Sequence, residues 1–481
     1  MLAAIVRAML KQRLIVVVVS LTLCFAGIFA AKNLTVDAFP DVTNIQVQVA
    51  TVAIGRSPEE IERLVTIPVE IAMTGLPGLV EMRSMNKSGL SLITLVFTDK
   101  TDVFFARQLV LERLIGVSNN LLPGIIPELG PVSTGLGDVY QYTLEHPDDG
   151  KRELTIEELT ERRTIQDWVV RPMLRSIPGI AEVNTIGGYV KEYEVYVDPN
   201  KLRHYDLTLS EVDRALANNN ANSSGNILPL RSEQYLIRGV GLINSLEDIN
   251  NIVLREMDGI PVYIRDIAAV KLGHEVRQGA SIKEGYTESV TGIVMMLRGG
   301  NAKEIVSRVK NKVSEINEQG LLPNGLQIVP FYDRTVMVDA ALESVYKVLI
   351  EALIFVIVVM IVCLGNWRVG LVVCATLIIT PLVTFMIMNY FSIPANLMSL
   401  GGLTIAIGLM VDPTVVVVEN IFLRLSHASN DVSKIEVIAK AAAEVGAPVI
   451  YGIIIIVLVF LPLLALQGME GKMFSPLAVT I

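Results

Sequence analysis

The sequence predicts an α+β membrane protein, with several transmembrane helices and one large extramembrane domain of ferredoxin-like (split βαβ) units. Three observations carry this. The 481 residues are 52% hydrophobic and only 19% charged, a more apolar balance than soluble chains of this size hold. The excess is gathered into five runs, residues 14–31, 348–365, 369–390, 397–423 and 448–466. At about 1.5 Å per residue, each run can cross roughly 30 Å of hydrocarbon. Between the first and second runs lie roughly 300 residues of mixed, globular composition in which strand and helix patterns alternate.

The first run is preceded by Arg7, Lys11 and Arg13 and ends in small residues, as a cleaved signal peptide would. It is long for a signal core, and the four later runs make a retained anchor the better reading. The short loops set the orientation. Arg368 sits between the second and third runs, and Arg424, Lys434 and Lys440 between the fourth and fifth. These places and the N-terminus share one side, which the positive-inside rule makes cytoplasmic. The large domain, about residues 33–342, then lies outside, in the periplasm of a bacterium. Cys24, Cys363 and Cys374 fall in or beside the apolar runs, so the outer domain has no disulfide framework and no thiolate metal cage. The net charge of −9 argues against nucleic acid as a partner.

Within the outer domain, "TNIQVQVATVAI" alternates as a half-buried strand does. Ser57, Pro58 and Glu60 then form a capping box with proline at the first helical position. Strands around 79–87 and 91–98, joined by the turn "NKSG", a helix from near Thr101 to about 120 and a further extended piece follow. The order is β-α-β-β-α-β. A second unit begins at "GDVYQYTLEH", with a helix at 155–177 capped by Thr155 and strands at 180–187 and 190–198. It closes with a strand near 286–298, a helix from Asn301 to about 319, and "LQIVPFYD". The insertion between carries a helix with capping box Thr208 and Glu211, then an Asn/Ser/Gly-rich protruding loop. Two readings of that loop stand, a solvated excursion or an arm to a neighbouring subunit. The domain boundaries are 1–35 for the N-terminus and first span, 36–134 for the first unit, and 135–181 with 277–335 for the second. The insertion takes 182–276 and the remaining spans 336–481.

The fourth run, "GGLTIAIGLMVDPTVVVVENIF", holds Asp412 and Glu419. An ionised aspartate mid-helix costs about 2.5–3.5 kcal/mol to insert, so such a residue normally faces a bundle interior and pairs or carries protons. Glu419 lies two turns on, on the same face and about 10 Å away. That is too far to share one proton as a protease dyad does, and suits successive stations on a proton path. Gly401, Gly402 and Gly408 let neighbouring helices approach, and Pro413 loosens the local backbone hydrogen bonding. The alternative for Glu419, with Asn420 beside it, is to end the helix at the interface. Glu351 reads as interfacial. His146, His204 and His274 lack ligand spacing, and Met82, Met85, Met295 and Met296 read as core.

"VDAFPDVTNIQVQV", "LGPVSTGLGDVYQYT", "GGYVKEYEVYVDP", "LGNWR" and "GGLTIAIGLMVDPTVVVVEN" resemble, in order and separation from residue 1 to the end, the heavy-metal efflux branch of the resistance–nodulation–division (RND) transporters. The chain is similar to both the cobalt–zinc–cadmium and the copper–silver inner-membrane pumps. The resemblance implies RND-type transmembrane helices and a proton/metal cation antiporter rather than an enzyme, with protons as the coupling ion and no cofactor. It implies a homotrimer docked through a periplasmic adaptor (a membrane fusion protein) to an outer-membrane channel. By the same resemblance, units one and two are porter subdomains, 182–276 is a docking subdomain, and the loop near 218–230 helps subunits interlock. Asp412 takes the essential proton-relay role and Glu419 an accessory one.

Two departures matter. Divalent-cation pumps carry a further Asp six positions before the relay, where this chain has Ala406 as copper–silver members do, while "STGLGDVYQYT" leans toward the divalent pumps. The metal stays open. Full-length members are two such halves in tandem, and this chain stops at "FSPLAVTI", where a sixth span starts. The resemblance gives the C-terminal half the lysine partner of the relay aspartate and most metal ligands. The expectation is therefore an N-terminal half that does not pump alone, either a truncated product or one half of a split transporter, with an inactive truncated fragment as the alternative. A multidrug or lipid RND exporter is the nearest rival, but those carry two adjacent aspartates where this chain has Asp412 and Pro413. An intramembrane aspartyl protease lacks a second aspartate on another span, and a sensor lacks an output module, the longest inner loop being 424–447.

Overall fold

Two four-stranded antiparallel sheets share one strand order. The computed structural model describes residues 2–150, 152–231, 233–257, 259–277, 279–364, 367–428 and 433–481. In the first unit the sheet order is Leu79–Lys87, Leu90–Phe97, Ile45–Val52, Pro127–Leu129. Alternation places Val47, Val49, Ile93 and Leu95 on one face, where they pack against Val69, Met73, Val110 and Leu114 of the covering helices. The first of these helices starts at the Ser57 box: Ser57 Oγ accepts from Glu60 N at 3.3 Å, and Glu60 Oε2 from Ser57 N at 2.9 Å. It widens into a π turn at Glu62–Thr66 just before Pro68, which makes room for a ring with no N–H to donate.

The second unit repeats the order as Gln327–Asp333, Asp138–Glu145, Thr291–Met296, Ile180–Ile186. Its core joins Tyr142, Leu144, Val183, Val294 and Ile328 of the sheet to Val306, Val309 and Val313 of helix Ala302–Glu318. Its first helix has the Thr155–Glu158 capping box and a π turn, Gln166–Val170, ahead of Pro172.

Four expectations change. The strand expected at 190–198 is Lys191–Val197, and it pairs with Ala268–His274 rather than with the second sheet. The cause is the Gly187–Gly188 turn, at φ of 80° and 68°. A Cβ on Gly187 would lie 2.4 Å from Ser289 O, so the chain leaves the sheet where only glycine fits. The boundary at 181/182 accordingly falls inside strand Ile180–Ile186, and the insertion is everything between that strand and Thr291. The Asn-rich loop is a β-hairpin, Ser223–Leu230 with Glu233–Gly239, whose second strand is exposed along its whole length. Two paired strands satisfy their backbone groups without a buried face, so composition alone concealed them.

The fourth change concerns the inner loop. Lys434–Phe460 is one helix with Pro448 inside it, followed by a 3₁₀ turn at Leu461–Ala465. The helix that carries the fifth apolar run therefore begins well before 448. The supposed loop 424–447 shrinks to 427–433, of which 429–432 lie outside the described residues. Its charged residues hid a helix that is apolar only in its second half.

Four helical stretches among the described residues are long and apolar enough to cross a membrane: Arg13–Asn33, Gly370–Tyr390, Leu397–Ser426 and Lys434–Ala465. The run at 348–365 belongs to helix Arg334–Leu364; Gly365 and the side chains of Cys363 and Arg368 lie outside the described residues. A short helix, Leu2–Lys11, precedes the first span, and its Arg7 pairs with Glu436 at 2.5 Å. Gly27 lets the first span press on Leu382, where an added Cβ would meet backbone oxygen at 2.6 Å. The chain ends in helix Gly468–Thr480.

Candidate functional site

The helix bearing the two carboxylates is fixed at its first turn. Asn396, fully buried, accepts from Met398 N at 3.1 Å and Ser399 N at 2.9 Å through Oδ1, while Ser399 Oγ accepts from Asn396 N at 2.9 Å. This is a reciprocal cap in which serine stands where glutamate usually does. The Asn-x-x-Ser spacing was readable in "IPANLMSLGG", and sequence reasoning passed over it.

From that cap Leu397–Ser426 runs without a break, and its faces divide the neighbours. Ile407, Val411, Val415 and Val418 pack on Val373 and Leu377 of helix Trp367–Tyr390. Gly402 meets the last helix so closely that a Cβ there would sit 2.3 Å from Thr480 Oγ1 and 2.7 Å from Leu477 O. Asn420 Nδ2 donates to Ala441 O at 2.9 Å, tying in helix Lys434–Phe460. Pro413 borders an apolar cavity of about 510 Å³ with Ala406, Met410, Val449 and Ile453. Thr414 Oγ1 donates back to Met410 O at 2.8 Å.

The remaining face is open. Ile405, Gly408, Asp412, Val416 and Glu419 recur at three- and four-residue steps, and all are exposed. The structure thus brings Asp412 and Glu419 onto one stripe, but turns that stripe away from the chain's own helices rather than into their bundle. Among the described residues neither carboxylate has a hydrogen-bond or ion-pair partner. Gly408 and Gly401 have no neighbour near an added Cβ, so of the three glycines only Gly402 mediates a close helix contact here. Glu419 does not end the helix, which continues to Ser426. Glu351 is exposed.

No group of three His, Cys, Asp or Glu side chains among the described residues is arranged to hold a metal. The His274 ring lies tilted against Tyr189, centroids 4.6 Å apart, and His204 meets Tyr205 edge to face at 4.9 Å; His146 Nδ1 accepts from Asp148 N at 3.2 Å. Met82 and Met296 join the sheet cores, Met85 is exposed, and Met295 Sδ lies 3.0 Å from Asn184 Nδ2. The outer domain's buried charge is instead a fork, Arg162 to Asp149 at 2.7 and 2.8 Å. Burial alone would raise the Asp149 carboxyl, but Arg162, the His146 N–H and Arg152 hold it below its ordinary range.

A family model described as the AcrB/AcrD/AcrF family matches residues 5–481. The chain belongs to that family. It is 44% identical to the cobalt-zinc-cadmium resistance protein CzcA of Cupriavidus metallidurans (strain ATCC 43123 / DSM 2839 / NBRC 102507 / CH34), over 98% of this chain and 45% of that protein. Against the cation efflux system protein CusA of Escherichia coli (strain K12) the identity is 37%, over 100% of this chain and 46% of that protein. A crystal structure of a heavy metal efflux pump superposes with a TM-score of 0.86 at 34% identity, over 99% of this chain and 46% of that one. The chain spans about half the length of the curated relatives it matches. It falls in the heavy-metal efflux branch, as its motifs led one to expect, and its fold is AcrB-like with mixed helices and sheets.

Proposed function

We propose that this chain is one half of a proton-driven pump exporting heavy-metal cations across the bacterial inner membrane. Asp412 carries the proton and Glu419 assists. The observation behind this reading is the open stripe of Gly408, Asp412 and Glu419 on an apolar helix of membrane length. Two carboxylates facing lipid would be costly, so the stripe needs a polar partner or water against it. The companion half of the transporter is the natural cover, since the relatives are about twice as long. Protonation neutralises Asp412 and favours one packing of its helix; release toward the other side favours the second. Pro413 leaves the Leu409 carbonyl without its helical donor, which makes the helix compliant next to the titrating group.

In this reading the two sheet units are ferredoxin-like porter subdomains in the periplasm, and the insertion docks. The hairpin at 223–239 reaches a neighbouring subunit of a homotrimer, and an adaptor and an outer-membrane channel complete the path. The relatives' names favour a metal cation over a drug or a lipid as cargo. In the complete pump, Asp412→Asn should abolish proton-coupled metal export at unchanged protein level; normal export by that variant would sink the relay. Metal transport by the 481-residue chain alone in proteoliposomes would overturn the half-pump reading.

A further inference from the structure

Residues 34–44, between the first span and the first strand, hold together parts of the molecule far apart in sequence. Their backbone pairs with the start of the carboxylate helix. Val36 bridges Ala395, Ala395 N donates to Thr35 O at 2.9 Å, and Leu397 N donates to Ala38 O at 3.1 Å. Asp37 Oδ1 accepts from Arg334 Nε at 3.0 Å and Nη2 at 2.8 Å, and the same guanidinium donates to the Leu136 carbonyl. Arg334 is buried. It opens helix Arg334–Leu364 directly after strand Gln327–Asp333 of the second sheet, and Asp333 pairs with Lys310 of helix Ala302–Glu318. At the far end of the segment, Arg298 donates to Asn44 O at 2.9 Å, and Lys472 of the last helix donates to Thr43 O at 3.1 Å.

The segment is built to be stiff. It contains no glycine, and Pro40 fixes one φ. A buried guanidinium shared between a carboxylate and a carbonyl is costly to leave unpaired, so displacement at one end is passed on rather than absorbed. We propose that residues 34–44 are a rigid link transmitting movement of the carboxylate helix to the second sheet unit, with Asp37 and Arg334 as positioning residues at its joint. The proposal rests on the relay reading of Asp412.

The test is hydrogen exchange by mass spectrometry on the transporter purified from its native membrane with its bound partners, in lipid nanodiscs. Asp412→Asn stands in for the protonated carboxyl, so all comparisons are made at one pH. Exchange in the relay helix and in residues 327–340 should change severalfold between wild type and Asp412→Asn. In an Arg334→Gln or Asp37→Asn background the change at 327–340 should vanish while that in the relay helix persists. The swap of Asp37→Arg with Arg334→Asp should bring part of it back, since it restores the ion pair but not the donation to the Leu136 carbonyl. Asp37→Asn serves if Arg334→Gln fails to fold. An undiminished change at 327–340 in both backgrounds would overturn the link. A relay helix whose own amides ignore Asp412→Asn would instead overturn the relay reading, and the link with it.

Discussion

The outer domain and the carboxylate helix treat charge in opposite ways. In the outer domain the buried Arg162 and Asp149, with side chains 7% and 11% exposed, meet in a two-pronged fork, and Asp333 is matched by Lys310. On the helix, Asp412 and Glu419 have no partner among the described residues. Charges buried in a domain must be satisfied within it, and those of Asp149 and Asp333 are. Carboxylates on a helix of membrane length face the same demand in lipid, and none of the described side chains meets it for Asp412 or Glu419. The difference contrasts a region whose buried charges are matched locally with a helix face that the described part of the chain leaves open.

Breaking the matched side should have the largest effect on stability. Arg162→Met takes the fork from Asp149, which keeps Arg152 and the His146 N–H, and should cost the outer domain about 3 kcal/mol, two charge-assisted hydrogen bonds at roughly 1.5 kcal/mol each. Chemical denaturation followed in that domain measures it; a loss below about 0.5 kcal/mol, the size of an ordinary surface change, would contradict the comparison. The same pair sets an acid limit. Because the folded Asp149 pKa is lowered, its contribution is present above the unfolded value of about 3.9 and is lost as pH falls through the lower folded value. Wild type should therefore lose stability below about pH 4, and Arg162→Met should show a shallower slope there.

Packing on the helix gives the next contrast. Gly402→Val must displace Leu477 and Thr480 and should destabilise by about 1–3 kcal/mol. Gly401→Ala, with nothing near its new Cβ, should be neutral or gain up to about 1 kcal/mol of helix propensity. Equal thermal shifts in the two variants would show that this face is not packed as described. The smallest effect belongs to a cap. Thr155→Ala removes the acceptor of the Glu158 N–H and should cost about 1 kcal/mol, read in the same denaturation experiment.

Much of the fold was legible because its signals are local. The Ser57, Thr155 and Thr208 caps and the alternation at 45–52 depend on residues within a turn or two of one another. Partner choice was not legible. Whether Lys191–Val197 joins the second sheet or Ala268–His274 depends on the Gly187–Gly188 turn and on a strand more than seventy residues away. The Asp37–Arg334 joint spans 297 positions and leaves no local trace. For the candidate site, spacing put Asp412 and Glu419 on one face. Which face the neighbours leave bare depends on packing at Ile407, Val411 and Gly402, and only the structure supplied it.

The central claim is that Asp412 takes up and releases a proton, and infrared difference spectroscopy of the transporter in lipid tests it most directly. Acidification should raise a protonated-carboxyl C=O stretch that is missing from Asp412→Asn and retained in Glu419→Gln. A band that survives unchanged in Asp412→Asn, or no Asp412-dependent band across the working pH range, would contradict the relay.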